Sequence, residues 1–160
     1  MIGPSHETIY PALGRVPSGL FILTARHGHK ETGMLASWVQ QCSFDPPQVS
    51  AAFAKDRWVL DWLEPGTAFA VNVLAEGQKS LLSHFGKGFG PGEAAFDGLE
   101  VHRDPHAAPM LLAAHAFLDC RVDKCVPAGD HILVIGTVVA GAVLHDAKPA
   151  THVRRTGKQY

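Results

Sequence analysis

The stretch GMLASWVQQCSFDPPQVSAAF, Gly33 to Phe53, decides the fold. It opens as an apolar strand and then loses its alternation, where Ser37, Trp38, Gln40, Gln41 and Ser43 stand among small residues. A plain hairpin needs no such interruption, so the segment is expected to hold something between two strands. At Asp45-Pro46-Pro47 proline fixes its own torsion and pushes the residue before it to extended geometry. That pair reads as a sharp corner leading into a further strand, Gln48 to Ala54.

Working outward, GLFILTA (Gly19 to Ala25) and MLASWV are two strands, with the polar RHGHKETG between them as a longer exposed hairpin loop. Asp56 is placed to cap a helix through RWVLDWL, with Val59, Leu60 and Leu63 on one side and Pro65-Gly66 as its stop. TAFAVNVL reads as a strand, and EGQKSLLSHF as a helix bearing Leu81, Leu82 and Phe85 and ending near Gly86. Gly86 to Pro109, rich in Gly and Pro and without periodicity, reads as a long surface loop of the kind that often carries function. HAFLDCRVDKCV alternates as a half-buried strand. HILVIGTVVAGAVL is apolar on both faces, as a central strand would be, and THVRRTGKQY is a short basic tail. Six or more strands with two short helices imply a closed or partly closed antiparallel barrel, since closure removes unpaired edges.

The bulk numbers narrow the function. At 160 residues the chain fits a single domain, 1–160, able to bury its own core. Fourteen Lys and Arg against fifteen Asp and Glu give no basic field, which argues against nucleic-acid binding. Cys42, Cys120 and Cys125 cannot all pair and lack Cys-x-x-Cys spacing, so a reducing cytoplasm is expected. No leader pattern and no apolar run of membrane-spanning length is read, so neither export nor a membrane location is expected. Ten histidines invite a metal, but HGH at 27–29 and the pair His102 and His106 fall in loops with no completing Cys or carboxylate set; no metal site is expected. A hydrolase reading lacks a Gly-x-Ser-x-Gly elbow.

GMLASWVQQCSFDPP, FAVNVLAEGQ, FGKGF, GDHILVIGTV and RRTGKQY, in that order, resemble the flavin reductase-like family of FMN-binding split β-barrels. The resemblance runs from Val16 to Tyr160 and is nearest to the flavin reductase module at the C-terminal end of cyanobacterial flavodiiron proteins. It implies a mainly β fold: an antiparallel, Greek-key split barrel with a few short helices. It further implies FMN as cofactor, with FAD as an alternative flavin, NAD(P)H as co-substrate, and a homodimer with each flavin near the subunit interface. The implied activity is NAD(P)H-dependent flavin reduction, the reduced flavin serving oxygen, iron, or a partner oxygenase or flavodiiron protein. A non-catalytic FMN-binding electron-transfer module is the rival reading.

The residues agree with that implication. A flavin needs a slot for a flat ring, backbone donors at its polar edge, and hydroxyls or cations for its phosphate. Leu35, Ala36, Ser37, Trp38, Gln41 and Cys42 form the expected cradle, with Cys42 as a small filler. Ala54, Lys55 and Arg57 follow at the next strand's end, where cations can meet phosphate oxygens. The family usually carries a second serine and an aromatic where this chain has Trp38 and Val39, and often a serine at Gln41. His131 in the GDH turn lies, by resemblance, near flavin and nicotinamide, where it would position and stabilise rather than exchange protons. Asn72 either satisfies neighbouring backbone or touches the cofactor. Phe85 and Lys87 border the flavin by resemblance, and Tyr160 belongs to a tail that folds back toward the site.

Overall fold

The computed structural model describes residues 5–160. Helix α1 (His6–Leu13) and the short β1 (Ser18–Gly19) precede β2 (Phe21–His27), β3 (Lys30–Ala36), β4 (Val39–Phe44) and β5 (Pro47–Ala54). A 3₁₀ helix (Trp58–Trp62) leads to β6 (Ala68–Val73), α2 (Lys79–Gly86), β7 (Val101–His102) and β8 (Met110–Leu111). The long hairpin of β9 (Ala116–Ala128) and β10 (His131–Val143) follows, and β11 (Thr151–His152) returns to pair with β1.

Seven strands form one antiparallel sheet in the order β3-β2-β6-β9-β10-β5-β4. Its two edges, β3 and β4, are consecutive in the chain and joined only by Ser37 and Trp38. Three Cα steps reach at most about 11 Å, so the two edges must stand close together. The sheet therefore curls into a barrel split at that seam, and the broken alternation of the sequence is the seam itself. β5 and β6, also consecutive, flank the β9–β10 hairpin, as a Greek-key crossing requires.

Alternation sorts the apolar residues onto two faces. Leu23, Val49, Phe53, Phe69, Val71 and Val134 point into the barrel, with Val59 and Trp62 packed among them. Ile22, one residue from Leu23, faces the other way onto Leu81, Phe85 and Phe96. Both faces of β2 are thus covered. Full burial of a side chain such as Phe85 is worth about 1.5–3 kcal/mol before packing terms.

Four sequence expectations are corrected. The ladder between β2 and β3 runs to His27 opposite Lys30, so the expected long loop is a two-residue turn, Gly28 and His29, with Gly28 at φ 60. Its polar flanks are strand because Arg26 and Glu31 face each other and form an ion pair at 2.9 Å. The helix after Asp56 is a 3₁₀ helix preceded by Arg57, with no side-chain cap, and its buried Val59 and Trp62 follow the three-residue period. The segment after Gly86 is no mere surface loop, since it buries Ala95, Phe96, Ala107 and Ala108. β10 lies between β9 and β5 only as far as Thr137; beyond it Val139 and Val143 are 54% and 71% exposed. Helix α1, with Pro11 inside it, has no signature in the sequence pattern alone.

Candidate functional site

A cleft of about 550 Å³ opens at the barrel seam. The end of β3 supplies Leu35 and Ala36, the seam supplies Ser37 and Trp38, and β5 supplies Ala52, Phe53 and Ala54. On the opposite side α2 and its C-terminal end contribute Leu82, Phe85 and Lys87. α2 sits this close because Gly33 has no side chain: a Cβ there would lie 2.6 Å from the Phe85 ring. The seam is anchored by a bond from the Ala52 N–H to the Trp38 carbonyl at 3.0 Å.

Ser37 carries the strongest chemical signal. It is 6% exposed, and among the described residues its Oγ is the buried side-chain polar atom without a hydrogen-bond partner. Leaving such a group unsatisfied costs about 1–3 kcal/mol. It lines a largely apolar cleft, so a bound ligand with a polar group at that wall would satisfy it. Two cations line the same cleft: Arg57, just before the 3₁₀ helix, and Lys87, just past α2. His152 on β11 lines it too. An apolar slot with an unsatisfied hydroxyl and two cations on its rim fits a flat, anionic molecule.

A second cluster closes one end of the cleft. The β9–β10 turn is Gly129 and Asp130, Gly129 taking φ 62. It leaves His131 at the first position of β10, opposite Ala54 at the end of β5. The Asp130 Oδ1 lies 2.6 Å from His131 Nδ1, and this bond holds the Asp130 carboxyl below the ordinary aspartate value of 3.8. His131 Nε2 and the Tyr160 hydroxyl are hydrogen-bonded. The Trp38 ring lies 4.9 Å from both the His131 and Tyr160 rings, and the Arg154 guanidinium covers it at 5.0 Å. Partial burial raises the Tyr160 phenol above its usual range, so it stays protonated at neutral pH.

The structure brings together Leu35, Ala36, Ser37, Trp38, Ala54, Arg57, Phe85, Lys87 and Tyr160 around the cleft. The other expected site residues stand elsewhere. His131 is behind the wall, its side chain 13% exposed and screened by Trp38 and Tyr160. Gln41 is exposed on β4 and its amide donates to the Ser43 carbonyl, while Cys42 is exposed at the irregularity where β4 slips against β5. Lys55 donates its backbone N–H to the Asp130 carbonyl at the foot of the hairpin. Asn72 is fully buried: it donates to the Ile22 carbonyl and accepts from the Leu111 N–H, so of its two readings the backbone one holds here. Phe53, Leu82 and His152, among others, also line the cleft although the sequence does not single them out as site residues. The inward phase of QVSAAFA pointed to Phe53; for His152 no local signal existed.

Comparison with known proteins adds the relatives. A family model described as the flavin reductase like domain matches residues 13–159. The chain is 42% identical over 151 residues to a Nostoc sp. protein named diflavin flavoprotein A 3, covering 93% of this chain and 26% of that protein. It is 38% identical over the same length to diflavin flavoprotein A 1 of a Synechocystis strain, again 93% and 26%. It thus spans about a quarter of the length of these relatives. Among solved structures, the NADH:FAD oxidoreductase SgcE6 of Streptomyces globisporus superimposes with a TM-score of 0.80 at 27% identity, covering 89% of this chain and 85% of that one. That protein has also been solved with NAD and FAD fragments.

Proposed function

The chain belongs to the flavin reductase-like family, and from that premise we propose that it binds FMN in the seam cleft and catalyses its reduction by NAD(P)H. The observation that carries the proposal is the buried, unpartnered Ser37 Oγ on the wall of an apolar cleft flanked by Arg57 and Lys87. Ser37 would satisfy a polar edge of the ligand, and the two cations would hold its phosphate. Ala36, Ala54 and Phe53 would line the ring slot and exclude water. Bound FMN would supply a two-electron acceptor at N5. His131, held by Asp130, would orient the nicotinamide carboxamide at the cleft mouth, a positioning task rather than acid–base work. The solved Streptomyces relative with NAD and FAD fragments supports both ligand classes, and FAD remains the alternative flavin.

The relatives are about four times longer, which supports a second reading: an FMN-binding electron-transfer module serving a flavodiiron partner or a flavin-dependent oxygenase. We further propose that the chain acts as one domain, forms a homodimer, and works in the cytoplasm, where its three free cysteines stay reduced. Titration of flavin-free protein with FMN, followed by steady-state NADH and NADPH oxidation, tests the reading. Binding with turnover supports reductase activity; binding without turnover leaves the electron-transfer module; no binding removes both.

A further inference from the structure

His131 cannot meet a ligand in the conformation seen here, because Tyr160 stands between it and the cleft. Tyr160 lines the cleft; His131, behind it, is hydrogen-bonded through Nε2 to the phenol and lies against Trp38. The Tyr160 ring packs 4.9 Å from Trp38. A planar ring against Trp38 with a polar group on Nε2 is what a nicotinamide carboxamide would offer at the same place. The closing segment is also fastened from behind. Arg154 donates its backbone N–H to the Gly14 carbonyl at 3.1 Å and a guanidinium N–H to the Gln159 carbonyl at 3.2 Å, while that guanidinium covers Trp38. Tyr160 itself is 58% exposed, so its ring can swing outward without breaking a core.

We propose that Tyr160 is a gate on the nicotinamide subsite: the phenol occupies His131 and the ring occupies the Trp38 face until reduced nicotinamide displaces both. This rests on the flavin reductase reading above and adds that access to His131 is competed for within the chain itself. A ligand then binds with its intrinsic affinity reduced by the fraction of molecules whose gate is open.

Tyr160→Phe keeps the ring and removes the hydroxyl, and two measurements on it test the gate. Carbethoxylation of histidines, mapped by mass spectrometry, should label His131 several-fold faster in Tyr160→Phe than in the parent, relative to the exposed His29. The KM for NADH, measured on protein saturated with FMN, should fall by about two- to tenfold, the scale of one net hydrogen bond. In a His131→Ala background, Tyr160→Phe should leave the KM for NADH unchanged. Unchanged His131 labelling overturns the gate, and so does faster labelling with an equal or higher KM. If parent and variant bind FMN and neither oxidises NADH or NADPH, the reductase reading fails and takes the gate with it; turnover with a failed gate leaves the reading standing.

Discussion

Ser37 is held unsatisfied in a wall that would be more stable without its hydroxyl, and that asymmetry can be measured. Ser37→Ala should leave the flavin-free protein as stable as before or raise its unfolding free energy by up to about 1–3 kcal/mol, while weakening FMN binding. Thermal unfolding without ligand and an FMN titration check the two halves, and a destabilised flavin-free protein would show that Ser37 has an internal partner. Asp130 offers a second test. Its bond to His131 lowers the carboxyl's pKa, so the contact operates above the ordinary value of 3.8 and is lost as pH falls through the lowered one. Carbon-13 NMR should place its midpoint below 3.8, and His131→Ala should raise it toward that value. Ser37, Trp38 and Arg57 were legible in the sequence because a broken strand and a strand-end cation are local signals. The spent amide of Asn72 was not, since its partners Ile22 and Leu111 are distant in the chain.

Elements were legible where one face alternated in burial, as in β5, and illegible where an element depends on another. Helix α1 is eight residues long and contains Pro11, so its own propensity is poor. It is supported instead by the closing segment, whose Arg154 and Gly157 N–H groups bond to the Gly14 and Tyr10 carbonyls. Gly14 sits under that segment so closely that a Cβ would come 2.8 Å from the Thr156 nitrogen and 2.9 Å from the Arg154 oxygen. Backbone atoms cannot swing aside as side chains do. Gly14→Val should therefore dislodge residues 154–160 and make trypsin cleavage after Arg154, Arg155 and Lys158 several-fold faster, with the barrel intact by circular dichroism. An unchanged cleavage rate would mean the segment is held mainly through Trp38 and His131.

For the whole molecule, the barrel followed from strand count and the need to close edges, and its seam from one interrupted strand. The site was only partly legible, because a cleft is made by residues that the sheet order and α2 bring together, and His152 reaches it only through the β1–β11 pairing. The second half of β10 pairs only with β9 among the described residues and exposes Val139 and Val143, and Phe44 at the β4–β5 tip is 90% exposed. These surfaces suit a second copy, and light scattering at working concentration should give twice the chain mass; a monomer would confine the site to one chain. Reduction of bound flavin by nicotinamide can be followed directly. Protein loaded with FMN and mixed anaerobically with excess NADH or NADPH should lose the visible absorbance of oxidised flavin in one saturable phase, slowed at least tenfold by His131→Ala, a change of about 1.4 kcal/mol in the barrier. Bound FMN that keeps its absorbance with both nicotinamides would contradict the account.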